Sequence, residues 1–290
     1  MKSWTKLGLI AGGGDLPVHV AEACVQDNKL AQVICLKGFG EPARYPFAVE
    51  RSLGELGGVI KDLKAAECDA VCFAGIVKRP DFSTLKVDWT AAKQLPKAIK
   101  AAMTGDDALL RFMVNIFEAE GFSVVGAHEL ADSLLIPEGC LTEIMPDETA
   151  KGDITRALAM AGAIGALDIG QGAIVCEGLV LAVEAQEGTD AMLSRIMALP
   201  GDIRGSVENP RGVLAKRLKP HQEKRVDLPV IGLSTIENVK AAGLAGIAAP
   251  AGGAFLLGRE AVIRAANAAG IFLVGVGAED LPAPQKGAPQ

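Results

Sequence analysis

The strongest constraint in this chain is a rhythm in which short apolar runs alternate with stretches of helical period. Residues 7–11 (LGLIA), 33–36 (VICL), 70–74 (AVCFA) and 122–126 (FSVVG) read as strands, and residues 16–26, 53–66 and 106–120 read as helices. A strand that is apolar at successive positions is covered on both faces, which is the situation of a parallel sheet packed between helices. After residue 134 the period breaks at Pro137, Gly139 and Pro146. It then resumes with a helix at 154–166 and a hairpin, 173–176 with 179–183, turned by Glu177 and Gly178. Further helices are predicted at 189–199, 235–242 and 259–269, with strands at 213–215, near 247 and at 271–274. The predicted class is α/β with two α/β domains, an N-terminal Rossmann-like one with a mostly parallel sheet and a C-terminal mixed one. The expected boundaries are 1–133, a linker at 134–151, a second domain at 152–281 and a disordered proline-containing tail at 282–290.

Length and composition agree with two cores. The 290 residues are 50% hydrophobic but only 4% aromatic, with 34 glycines for tight turns. A net charge of −6 argues against nucleic acid as a partner, because that affinity rests on neutralising many phosphates. The six cysteines show no repeated spacing and lie mostly in apolar runs, so they read as buried thiols in a reducing compartment. The three histidines, His19, His128 and His221, are too far apart for a zinc signature. No charged-then-apolar leader is read at the N-terminus, and the expected location is cytoplasmic. Residues 241–258 carry no charge, yet Pro250, Gly252 and Gly253 interrupt them. They also fall short of the roughly 20 apolar residues a membrane span needs.

Several motifs carry candidate chemistry. Gly12, Gly13 and Gly14 follow the first strand and precede the first helix, where glycines let backbone N–H groups approach a diphosphate. Asp15 is placed to cap that helix. Lys78 and Arg79 follow the third strand, either meeting phosphate or standing as solvated charges. Asp106 and Asp107 open a helix as partners of its dipole, with Arg111 one turn on from Asp107, or they contact substrate. Gln171 lies in the glycine-flanked turn after Asp168. The densest group is the stretch VEAQEGTD at 183–190, where Glu184, Glu187, Thr189 and Asp190 gather three carboxylates and a hydroxyl. Thr189 is a natural N-cap with Asp190 in the first turn, but that role leaves Glu184 and Glu187 unexplained. A hard divalent cation wants several such oxygens. Lys216 and Arg225 stand in a basic run that ends at Asp227, a carboxylate set between Val226 and Leu228. On this reading Asp227, with Glu187 or Asp190, holds Mg²⁺ against a diphosphate, while Lys216 or Arg225 stabilises developing charge.

At these residues the sequence resembles the LpxI-type UDP-2,3-diacylglucosamine pyrophosphatases of Gram-negative lipid A biosynthesis. The matching motifs are GLIAGGGDLP at 8–17, GDDALLR at 105–111, DIGQG at 168–172, VEAQEGTDAM at 183–192, RVDLP at 225–229 and AAGLAG at 241–246. The resemblance implies Mg²⁺-dependent hydrolysis of UDP-2,3-diacylglucosamine to UMP and 2,3-diacylglucosamine 1-phosphate (lipid X), with water attacking the sugar-proximal phosphorus. It implies an N-terminal domain for UDP and a C-terminal domain for the lipid product. Asp227 matches the family aspartate regarded as catalytic, and Thr189 and Asp190 carry over with it. Gly12, Gly13, Gly14, Asp15, Lys78, Arg79, Asp106, Asp107, Arg111, Gln171, Lys216 and Arg225 are the expected substrate contacts. Acyl chains need an apolar groove, for which residues 244–257 are a candidate wall, core burial being the other reading. Transient peripheral membrane contact at the inner face of the inner membrane and a homodimer complete the expected partners. Two other classes stay open: a nicotinamide-dependent oxidoreductase and a non-catalytic nucleotide-sugar or lipid binder. The first expects a carboxylate after the second strand, where this chain has Lys37.

Overall fold

The computed structural model describes residues 4–78, 81, 82, 84–219, 225 and 228–282, with the side chain of Asp106 also outside the description. The chain divides into two compact α/β units. One covers the described residues through Asp132 together with Arg225, and the other covers those from Ser133 to Lys219 and from Leu228 onward.

The first unit follows β1 (Leu7–Ala11), α1 (Leu16–Gln26), β2 (Leu30–Leu36), β3 (Ala48–Arg51), α2 (Leu56–Ala65) and β4 (Ala70–Ala74). It continues through α3 (Trp89–Thr104), α4 (Asp106–Ala119), β5 (Ser123–Val124) and the short α5 (Ala127–Leu130). Its five strands lie in the order β3-β2-β1-β4-β5, every neighbouring pair parallel. That is the strand order of a doubly wound nucleotide-binding half, with the direction of winding reversing between β1 and β4. Ile10, Ile34 and Val71 pack with Leu56, Val59, Ile60 and Leu63 of α2 and with Val114 and Phe117 of α4. Each such side chain contributes about 1.5–3 kcal/mol on burial. Phe117 also meets Phe73 edge-on, with ring centroids 5.2 Å apart.

Sequence periodicity left α3 undefined. Pro96 sits inside this helix, where a proline ordinarily reads as a break, and the apolar side chains on its solvent side obscure which face meets the core. Its start is set by Asp88, whose Oδ1 accepts from the Ala91 N–H while Oδ2 accepts from the Gly57 and Gly58 N–H groups at the start of α2. One carboxylate therefore caps two helices.

The second unit contains β6 (Gly139–Cys140), α6 (Glu148–Ala166), β7 (Gly172–Cys176), β8 (Leu179–Val183), α7 (Gly188–Ile196) and β9 (Val213–Lys216). It then runs through β10 (Val230–Ile231), α8 (Leu233–Ala241), β11 (Gly246–Pro250), β12 (Phe255–Leu256), α9 (Arg259–Ala269) and β13 (Phe272–Val276). Six strands form a mixed sheet, β6-β13-β11-β9-β7-β8, and β10 pairs with β12 alone. Strands β9, β11 and β13 are mutually parallel, while β6, β7 and β8 join antiparallel. At the β7–β8 turn Glu177 and Gly178 both take positive φ, 49° and 79°, as a two-residue hairpin of this hand requires.

Residues 134–151, read from sequence as a linker, carry Ile136 fully buried in this core, strand β6 and the start of α6, where Asp147 accepts from the Ala150 N–H. The stretch considered as a wall for acyl chains is corrected by the packing. Leu244, Ile247, Ala249, Ala254 and Leu256 are wholly buried against other core side chains, so they present no groove. The expected tail falls, from residue 283 on, outside the described residues. No described helix is long and apolar enough to cross a membrane. The six cysteines are unpaired thiols, and burial pushes Cys24 and Cys68 up to about 11.

Gly75 at the end of β4 adopts φ +93°, and a Cβ there would lie 2.6 Å from both the Gly13 carbonyl and the Pro17 ring. Gly75→Ala should therefore cost on the order of 3 kcal/mol, combining backbone strain with overpacking. Urea unfolding of the full chain checks this. A midpoint equal to wild type would mean that the two loops separate without loss.

Candidate functional site

In the N-terminal unit the loops after β1 and β4 meet at the reversal of strand order, where doubly wound sheets bind ligands. Gly13 and Ile76 exchange both backbone hydrogen bonds at 2.9 Å, and the Gly12 N–H donates to the Ala74 carbonyl at 2.8 Å. A Cβ on Gly12 would stand 2.8 Å from the Ile76 carbonyl, and one on Gly13 3.1 Å from that of Phe39. These two glycines thus allow loop to touch loop, and their N–H groups are already used. That corrects the expectation that all three present N–H groups to a diphosphate. Gly14, at φ +86°, is the member with open space, and among the described residues the N–H groups of Gly14 and Asp15 take no acceptor. Asp15 makes no side-chain cap to α1. Its Oδ1 accepts from Arg44 at 2.7 Å, a cation that the sequence reading passed over.

Lys78 is exposed after β4, and Arg79 lies outside the described residues. Helix α4 precedes a parallel strand, so its first turn starts at the edge where the strands end, on the same side as the glycine loop. There Asp107 is buried and pairs with Arg111 at 2.8 Å, as the i,i+4 reading expected. Arg225, grouped by sequence with Lys216, belongs instead to this unit, where it pairs with Glu118 of α4 at 2.7 Å.

In the C-terminal unit, register assembles a second cluster. Gly172 of β7 is opposite Lys216 of β9, and the Glu184 N–H just past β8 donates to the Gly172 carbonyl at 2.8 Å. Three neighbouring strand ends therefore bring Gln171, Glu184 and Lys216 together. Glycines at 170 and 172 make the room: a Cβ on Gly170 would collide with the Glu184 backbone, and one on Gly172 would lie 2.5 Å from Glu184 Oε2. Glu184 and Lys216 are each only 6% exposed. Burial raises the Glu184 pKa above the ordinary carboxylate value, while the Lys216 charge, the Thr189 hydroxyl and the Gln171 backbone N–H oppose that rise. Thr189 Oγ1 donates to Glu184 Oε1 at 3.1 Å, so Thr189, the second residue of α7, orients a carboxylate instead of capping the helix. Glu184 Oε2 and Gln171 Oε1 are buried without a hydrogen-bond partner among the described residues. Buried acceptors left open in this way mark a place for a donor, water or ligand. Lys216 Nζ donates to the Val230 carbonyl at 3.0 Å, and Lys219 pairs with Asp168 at 2.8 Å.

Of the carboxylates expected to hold a metal, the two among the described residues each have another partner. Glu187, held below the usual range by its own backbone N–H and then by Arg195, pairs with Arg195 at 2.9 Å. Asp190 Oδ1 accepts from Asn238 of α8 at 2.9 Å. Among the described residues no three His, Cys, Asp or Glu side chains could hold a cation. Asp227, the third expected ligand, lies outside the described residues. The described donors thus do not fit an all-protein Mg²⁺ cage. Sequence reasoning noticed Glu184 but did not place it in the site. Its signal was a carboxylate closing an apolar strand on the inward face.

The family models that match are the LpxI N-terminal domain over residues 6–134 and the LpxI C-terminal domain over residues 137–274. A curated relative, "UDP-2,3-diacylglucosamine pyrophosphatase LpxI" of Caulobacter vibrioides (strain ATCC 19089 / CIP 103742 / CB 15), is 53% identical over 279 residues. The alignment covers 96% of this chain and 99% of the relative.

Proposed function

The chain belongs to the LpxI family, and from that premise we propose that it is a hydrolase of a phosphoanhydride, cleaving UDP-2,3-diacylglucosamine to UMP and 2,3-diacylglucosamine 1-phosphate. The observation that carries the reading is the relative's 53% identity through both units. In the reaction a water oxygen bonds to the sugar-proximal phosphorus, the bridging P–O bond breaks, and UMP leaves with the bridging oxygen. A proton from the water passes to a base or to solvent.

The nucleotide end suits the mouth of the N-terminal sheet, where Gly14 and Asp15 retain backbone donors at the start of α1, with Arg44 and Lys78 nearby in the chain's loops. The sugar phosphate suits the edge that carries Gln171, Glu184, Thr189 and Lys216. Lys216, held by the Val230 carbonyl, supplies positive charge for the phosphoryl oxygens, and Glu184, oriented by Thr189, is the buried carboxylate that feels that charge. Asp227 is proposed as the base, on the family motif alone. Mg²⁺ dependence is part of the proposal and would supply charge neutralisation at the diphosphate. A cation of this kind is commonly held by one or two carboxylates together with substrate phosphates.

Purified protein incubated with UDP-2,3-diacylglucosamine should release UMP and lipid X, stop with EDTA and resume with Mg²⁺. In ¹⁸O-water the label should enter lipid X and not UMP. Binding without product formation would reject the hydrolase in favour of a carrier, and turnover unaffected by EDTA would remove the metal.

A further inference from the structure

We propose that the outer face of α3 is a docking surface for an anionic lipid bilayer. At 3.6 residues per turn, Trp89, Ala92, Pro96, Ile99 and Met103 recur at spacings of three and four and form one stripe. All are exposed, Trp89 at 77% and Met103 at 81%. Lys93, Lys97 and Lys100 form the adjoining stripe, also exposed, and Lys93 lies 5.2 Å from the centre of the Trp89 ring. The helix contains no acidic residue, and the only carboxylate at its start, Asp88, is occupied by three backbone N–H groups. Its opposite face packs on α2 and α4 through Ala91 and Ala102. A helix fixed on one side, presenting Trp and Met beside a lysine row, has the pattern of an interfacial helix. Tryptophan and lysine are the residues that settle at headgroup depth.

Charge decides the occupant. The chain as a whole carries −6, so a row of three lysines without an acid is a local reversal of sign. A second copy docking antiparallel through this face, about a two-fold axis lying across the helix, would set lysine row against lysine row, which repel. Anionic headgroups complement the row, and the apolar stripe enters the acyl boundary. That such docking presents a membrane-borne acylated substrate rests on the proposed function; the docking itself does not.

The test is flotation of the full chain with vesicles containing phosphatidylglycerol and with vesicles of phosphatidylcholine alone. Wild type should float with the first, less with the second, and lose binding as salt rises. K93Q/K97Q/K100Q should partition about 100-fold more weakly, roughly fivefold per lysine. W89S/M103S should also lose binding, with its Tm kept because both side chains are exposed. Both variants should still hydrolyse detergent-dispersed substrate, so failure of the hydrolase reading would show in that assay alone. Wild-type flotation by either variant would overturn the proposal. So would a wild-type dimer, seen by light scattering, that the substitutions dissociate.

Discussion

Lys216→Met is expected to destabilise the C-terminal unit by about 3 kcal/mol near neutral pH, because buried Glu184 loses the cation that favours its charged form and must stay ionised without it or take up a proton. Lys216 and Glu184 are both 6% exposed, so solvent cannot take over the lost partner. The lysine also bonds the Val230 carbonyl, tying β9 to β10, and that carbonyl loses its donor in the variant. Since Glu184 already has a raised pKa from burial, removing Lys216 should raise it further and leave the neutral acid in the fold. The sign of the pH dependence follows. A group with a raised folded-state pKa favours the native state most at low pH, and that contribution disappears as pH climbs through the raised value. The variant should therefore lose stability with rising pH over a wider range than wild type. Denaturant unfolding at several pH values measures both effects. K216M/E184Q should recover part of the loss, because a neutral amide costs less to bury than an uncompensated carboxylate. A single variant as stable as wild type would show that the pair is hydrated.

Asp227→Asn should lower kcat by about 10²–10⁴-fold while KM changes little, the result for a group acting on the reacting water and not on the bound substrate. The amide keeps the shape of the carboxylate but can neither take a proton nor bind a cation strongly. Single-turnover rates with UDP-2,3-diacylglucosamine, measured beside a substrate-binding assay, separate chemistry from affinity. Near wild-type turnover would remove Asp227 from the mechanism and return attention to Glu184. Loss of binding without a change in the bound-state rate would make it a substrate contact.

Much of the fold was readable because its signals are local. The apolar runs of β1, β2 and β4, the Glu177–Gly178 turn and the spacing of Asp107 and Arg111 are set by residues a few positions apart. Such preferences follow from backbone sterics and from which face a side chain occupies, whatever the rest of the chain does. Helix α3 escaped because Pro96 in its interior reads as a break and its apolar stripe faces solvent, where local periodicity would place the core. The expected cap at Thr189 failed for a different reason. A hydroxyl at a helix start finds either a backbone N–H or a side chain, and here Glu184 is the one within reach.

The grouping of Glu184, Gln171 and Lys216 came from strand register, which joins residues far apart in the chain and which no local preference encodes. The same holds for the glycine loop, where Gly12 and Gly13 serve contact with the β4 exit and only Gly14 stays open. Residue identities were enough for the family, the two-unit α/β class and the short list of acids and bases. Which of those groups became buried neighbours and which became ion pairs was decided by packing, because burial and pairing depend on distances that exist only once the sheet has formed.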